Sequence, residues 1–229
     1  MFIGVGNPIP RIANLPGASR PGGGGGGGGG LAQVDNLYSF EFDGTESYIK
    51  VDYNSIFDFG STYSFSFWVN NAVLSTVGVK GIITCDSSSG AVGPRGWLIF
   101  QFGQELRIAC PFTGNQIDVA NFFTTNNTWI HVGVTYDGTT FNVYKDGSIF
   151  DPTTTGLMAL NANSQDLIIG NSAYGAGRFF EGKLDEVAMF NTTLGATDIA
   201  NIYNATTTGK TADLSALSTP PVAWYRMGD

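Results

Sequence analysis

Trp129-Ile-His-Val-Gly-Val-Thr-Tyr-Asp-Gly138 is followed by Thr140-Phe-Asn-Val-Tyr-Lys145, then by Asp146-Gly147 and Ser148-Ile-Phe150. The two longer runs are rich in aromatic and β-branched residues, which suit a pleated, half-buried surface. Each Asp-Gly pair stands where a tight hairpin turn needs positive φ, a conformation glycine adopts without steric cost. Three strands joined by two such turns make an antiparallel meander.

The same pattern extends in both directions. Upstream, Tyr38-Ser-Phe-Glu-Phe42, Tyr48-Ile-Lys-Val51 and Tyr63-Ser-Phe-Ser-Phe-Trp-Val69 alternate with period two, and Phe57-Asp-Phe-Gly60 leads into the last of them. Gly81-Ile-Ile-Thr-Cys85, Gly96-Trp-Leu-Ile-Phe-Gln-Phe102 and Leu106-Arg-Ile-Ala-Cys110 read as further strands. Downstream, Leu167-Ile-Ile-Gly170 and Phe179–Phe190 continue the series, and Val222–Met227 reads as a final strand. Leu194, Ile199, Ile202 and Tyr203 fall at helical spacing, which predicts one helix over 194–204. Roughly a dozen short strands with regularly spaced turn signals indicate a sandwich or barrel.

Hydrophobic residues make up 42% of the 229 residues and charged residues only 13%. That supports one large core beneath a sparsely charged surface, and all-β domains reach this length undivided. The net charge is −8, with no cluster of Lys and Arg. Nucleic acid and anionic membrane are therefore not expected partners, because phosphate recognition needs concentrated positive charge. The single histidine, His131, and the two cysteines, Cys85 and Cys110, have neither metal-ligand spacing nor a CxxC pattern. The cysteines read first as buried free thiols, with a disulfide open if their strands lie close.

Residues 1–36 differ in composition. They hold Pro8, Pro10, Pro16 and Pro21, then an unbroken glycine run from Gly22 to Gly30. Such a run buries no side chain and reads as an extended arm, one able to bond neighbouring chains through its backbone. Residues 1–21 lack a charged segment followed by an apolar one, which predicts no secretory leader. The expected organisation is an arm over 1–36, a sandwich over 37–206, and a C-terminal loop with a returning strand over 207–229.

The motifs in their order resemble laminin-G-like domains of the concanavalin-A-like lectin/glucanase fold. Trp129–Gly138 with Phe141–Gly147 is similar to that family's central motif. Leu167–Gly170 and Gly182-Lys-Leu-Asp-Glu-Val-Ala-Met-Phe190 match its later strands, and the 194–204 helix stands where the family has one. The resemblance covers roughly residues 38–205. It implies an all-β fold, a two-sheet antiparallel jelly-roll sandwich with one short helix. It also implies that His131, Asp185 and Glu186 serve structure, and that one Ca2+ ion could sit at the sandwich rim. By residue type alone, Asp86, Asp118, Asp137, Asp151 and Asp166 are its candidate ligands. The Gly/Pro-rich start and the tail Trp224-Tyr-Arg-Met-Gly-Asp229, taken with the sandwich, resemble virion proteins of tailed bacteriophages.

Catalysis is not expected. Glu41 and Asp43 share one face of a strand, and Glu181, Asp185 and Glu186 lie close together. Yet the E-x-D-x-x-E pattern of sandwich-fold glucanases is absent, and Asp43 precedes Gly44 at a turn. Asn115, Asn126, Asn127 and Tyr174, read as loop residues, are the candidate glycan contacts. The leading expectation is a non-enzymatic virion component, a decoration or fibre protein on the particle surface. Its partners would be neighbouring virion proteins or copies of itself, held through the arm. The alternative is a carbohydrate-binding, lectin-like module at a cell surface or outside the cell.

Overall fold

The computed structural model describes residues 30–74, 78–87, 96–110, 115–155, 159–160 and 164–227, together with two backbone stretches near the N-terminus. Of the glycine run only Gly30 is among these residues, so the expected arm lies largely outside them.

The elements follow in chain order: β1 (Ile3–Val5), β2 (Arg11–Asn14), β3 (Gln33–Asp35), β4 (Tyr38–Asp43), β5 (Ile49–Val51), β6 (Tyr63–Asn71), β7 (Lys80–Asp86), β8 (Gly96–Phe102) and β9 (Glu105–Cys110). Next come β10 (Asn115–Val119), β11 (Trp129–Tyr136), β12 (Thr140–Lys145), β13 (Ser148–Thr155), β14 (Leu167–Ile169), β15 (Glu181–Phe190), α1 (Ala196–Ala205), β16 (Lys210–Ala212) and β17 (Ala223–Tyr225). Two sheets form, one ordered β1-β5-β14-β7-β8-β9-β10, the other β13-β12-β11-β6-β15-β4-β2 with β17 added on β15. Every pairing is antiparallel, and the non-sequential strand order is that of the expected jelly-roll sandwich.

The meander is β11-β12-β13. At its second turn Asp146 and Gly147 both have positive φ (52° and 76°), whereas at the first only Gly138 does (96°). There Asp137 accepts the backbone N–H groups of Thr139 and Thr140 instead. The helix lies over Ala196–Ala205, close to the expected span.

The core sits between the sheets. Tyr63, Phe65, Phe67 and Val69 of β6 point into it, as do Trp97 and Ile99 of β8 and Val132, Val134 and Tyr136 of β11. Aromatic rings meet edge-on or tilted across it: Phe65–Trp97 at 5.0 Å, Phe59–Phe65 at 5.3 Å and Tyr63–Tyr136 at 5.5 Å between centroids. Such pairs add to the burial of area alone. Cys85 and Cys110 are free buried thiols, and burial pushes the Cys110 thiol up to about 12.

The other face of the second sheet is also covered. Ile199 and Ile202 of α1 pack with Tyr144, Ala188, Phe190 and Leu194, joined by Ala212 and Leu214 from the C-terminal segment. That segment is bound into the domain. β16 pairs with β3, inside the stretch read as arm, and the returning strand β17 pairs with β15. Glu186 accepts Trp224 Nε1–H (2.7 Å) and Asn36 Nδ2–H (3.1 Å), so this buried carboxylate ties both ends of the chain to β15.

Asp43 closes the turn after β4. Burial alone would raise its carboxyl pKa, but the backbone N–H groups of Thr45, Glu46 and Ser47 and the Ser47 hydroxyl all bond its Oδ1 and hold it well below the usual range. A depressed folded-state pKa gives stability that is present above the unfolded value of about 3.9 and lost as pH falls below it. Asp43→Ala is therefore expected to cost about 1 kcal/mol at pH 7, discounted for solvent exposure. Thermal unfolding at pH 7 and pH 3 checks it: the wild-type protein should lose more stability on acidification than the variant.

Candidate functional site

The second sheet is covered by α1, whereas among the described residues the outward face of the seven-stranded sheet carries a depression. Its strands carry apolar residues on both sides. Trp97 and Ile99 of β8 and Leu106 and Ile108 of β9 face the core, while Leu98, Phe100 and Ala109 form a separate cluster outside, with Val79 and Phe102 against it. This cluster floors a depression of about 290 Å³, rimmed by Asn115, Gln116, Tyr174 and Arg178. The Arg178 guanidinium lies 4.8 Å above the Tyr174 ring centroid, a cation–π contact.

The segment 170–178 supplies Tyr174 and Arg178, and it is fastened at both ends. At its start the Asp86 carboxylate accepts Ser172 Oγ–H (2.7 Å), Tyr174 N–H (3.1 Å) and Ala173 N–H (3.2 Å). Thr84 Oγ1 donates to the Asn171 carbonyl (3.0 Å). At its end Gly81 N–H donates to the Arg178 carbonyl (2.9 Å) and Lys80 Nζ to that of Gly177 (3.2 Å). The segment comes down onto β7 because residue 81 lacks a side chain: a Cβ there would lie 2.3 Å from the Asn171 carbonyl oxygen. Burial raises the Asp86 pKa, and its hydrogen bonds offset only part of that rise.

On the other side of this segment lies a second, polar depression of about 420 Å³. Tyr48, Lys50, Asp86, Ser87, Gln165, Asp166, Ile168, Asn171 and Ala173 line it. Lys50 Nζ pairs with Asp166 at 2.7 Å, and Asp166 Oδ1 also accepts Tyr53 N–H at 2.8 Å. Burial works to raise the Asp166 pKa, but these donors win and hold it below its ordinary value.

Of the four candidate glycan contacts, Asn115 and Tyr174 meet at the apolar depression. Asn115 is not a loop residue: it opens β10 and pairs with Cys110. Asn126 and Asn127 line neither depression. They form the turn before β11, where Asn127 takes positive φ (54°) and donates to the Asn71 carbonyl at 2.8 Å. Gln116 and Arg178 escaped the sequence reading. The available signal was the unbroken apolar run Trp97-Leu-Ile-Phe100, since a strand apolar on both faces needs cover on both.

Four of the five calcium candidates have carboxylates already engaged by protein donors. Asp86, Asp137 and Asp166 already accept N–H, O–H or ammonium donors, and Asp118 accepts Gln116 Nε2–H and pairs with Arg107. Calcium needs several oxygen acceptors converging on one point. Among the described residues no three His, Cys, Asp or Glu side chains do so. The Asp151 side chain lies outside the described residues. His131 is fully buried, with Nε2 at 2.9 Å from Ser66 Oγ and its ring 5.2 Å from that of Trp68. It serves packing beneath α1.

A family model described as the concanavalin A-like lectin/glucanases superfamily matches residues 43–200. No curated protein matches the chain. Among solved structures, a Bacteroides ovatus protein provisionally named as carbohydrate-binding aligns with a TM-score of 0.62 and 19% identity, over 87% of this chain and 53% of its own. Domain 4 of AbnA, a GH43 extracellular arabinanase from Geobacillus stearothermophilus solved with arabinotriose, aligns with a TM-score of 0.54 and 19% identity, over 76% of this chain and 81% of its own. Botulinum neurotoxin type C, described as entering cells through two ganglioside molecules, aligns with a TM-score of 0.54 and 17% identity, over 76% of this chain and 45% of its own. The chain thus spans about half the length of the first and the last. At these identities the likeness is one of fold.

Gly81→Ala is expected to lift the 170–178 segment from β7 and cost about 1–3 kcal/mol through overpacking. Thermal denaturation and faster amide exchange at Ala173 and Tyr174, with the core amides unchanged, check it.

Proposed function

The chain belongs to the concanavalin A-like lectin/glucanase superfamily, and on that footing we propose that it is a non-catalytic carbohydrate-binding module whose ligand docks on the outward face of the seven-stranded sheet. One observation carries the reading: a depression floored by the apolar Leu98, Phe100 and Ala109 is also lined by Asn115, Gln116, Tyr174 and Arg178. A sugar presents an apolar C–H face and a ring of hydroxyls. The floor and the Tyr174 ring take the first, while Asn115, Gln116 and the Arg178 guanidinium take the second. Both ends of the 170–178 segment are fixed before a ligand arrives, which lowers the ordering cost of binding.

Hydrolysis is disfavoured by the geometry of the acids. Asp86 and Asp166 line one depression and their surroundings push their pKa values in opposite directions, as an acid and its partner require. Asp86, however, is only 2% exposed and its oxygens are occupied by donors from 172–174, so it presents no free edge to a glycosidic oxygen. The virion expectation rested on the glycine run and the tail; the family match and the structural neighbours support the carbohydrate-binding alternative. Such a module acts where glycans are displayed, outside the cell that makes it.

A glycan array followed by calorimetry tests the reading. Tyr174→Ala and Arg178→Ala should each weaken the best-bound saccharide at least tenfold, about 1.4 kcal/mol, with unfolding temperatures unchanged. Asn126→Ala and Asn127→Ala should bind as the wild type does, and full binding should persist in EDTA. An unaltered affinity in the Tyr174 and Arg178 variants would sink the proposal.

A further inference from the structure

The polar depression holds both charged and neutral polar side chains. Most of its charged groups are satisfied from within: Asp86 by the 172–174 segment, and Lys50 and Asp166 by each other. Two atoms are not. Ser87 is 7% exposed, and its Oγ has no hydrogen-bond partner among the described residues. The Asn171 Oδ1, also buried, has none either. Both residues line the same cavity. An unpaired buried polar atom is costly, and native structures keep one where a ligand or water completes it.

The unmet chemistry is specific. Ser87 Oγ offers one donor and two acceptor positions, and Asn171 Oδ1 offers an acceptor. Two neighbouring hydroxyls on one ring satisfy that set, since each hydroxyl both donates and accepts. Ile168 and Tyr48, in the same lining, give an apolar surface for the C–H face of that ring. One segment contributes to both depressions: Asn171 and Ala173 line the polar one, and Tyr174 and Arg178 line the apolar one. A chain lying across the 171–178 segment therefore meets both.

Building on the carbohydrate reading above, we propose that the polar depression is a second sugar subsite. The ligand is then an internal stretch of a linear oligosaccharide spanning both depressions, rather than a single terminal sugar. Ser87 and Asn171 set the preference for chain length by taking the hydroxyls of the second sugar residue.

The test uses the whole chain and an array of defined linear oligosaccharides from one to six residues long. Wild-type signal should rise at least tenfold between the monosaccharide and the trisaccharide of the bound series. Ser87→Ala and Asn171→Ala should remove that rise yet keep the monosaccharide signal. Tyr174→Ala should lose both. Ser87 Oγ bonds nothing within the described protein, so the unfolding temperature of Ser87→Ala should hold or increase, which separates lost binding from lost folding. A length-independent wild-type signal overturns the second subsite while leaving the first depression standing. So does a Ser87→Ala variant that keeps the full rise with length. An array with no bound glycan overturns both readings together.

Discussion

A polar side chain on a strand buried on both faces is costly unless partnered, and β6 is buried along its whole length. On its inward face Tyr63, Phe65, Phe67 and Val69 join the core. Its outward row, Ser64, Ser66, Trp68 and Asn70, is what the other elements are arranged to satisfy. Ser64 Oγ–H donates to the Thr192 carbonyl and accepts Leu194 N–H, fixing the entry to α1. Ser66 bonds His131, and Trp68 stacks on Tyr203 of α1 at 5.8 Å. Unmet, each such group would cost about 1–3 kcal/mol. The helix and the C-terminal segment are thereby committed to one sheet, away from the outward face of the other.

That asymmetry explains why the depressions form where they do. The seven-stranded sheet keeps an apolar outer row on β8 and β9, and among the described residues the 170–178 segment comes down beside it. Asp86 anchors that segment's start and borders the polar depression, while Gly81 allows its close approach. One buried carboxylate and one missing side chain thus position the partition between two cavities. A partition fixed in advance favours rigid docking of an extended ligand, because little side-chain or loop entropy is lost on binding.

Much of the architecture was legible in the chain itself. Period-two strands, Asp-Gly turns and one helical stretch located the meander, the opening strands and α1 within a few residues. The misses have physical causes. β10 (Asn115-Gln-Ile-Asp-Val119) has only two apolar residues and abuts a polar stretch, so it read as loop, and Asn115 with it. β3 and β16 are three-residue strands whose pairing spans most of the chain, which no local pattern encodes. At the site, Tyr174 was legible as an aromatic in a glycine-rich stretch. Arg178 and Gln116 were not: Arg178 is placed by the descent of one segment onto a distant strand, and Gln116 by the pairing of β10 with β9. Asn126 and Asn127 show the converse: polar loop residues that serve a turn.

The proposed binding turns on which face of the sandwich a sugar touches. Titrating the isotope-labelled protein with the strongest array-bound oligosaccharide, and mapping amide shifts by NMR, answers that directly. Perturbations at Leu98, Phe100, Ala109, Gln116, Ser87 and through 171–178 are the predicted result. Shifts centred instead on Asn126–Thr128 or on α1 would contradict it.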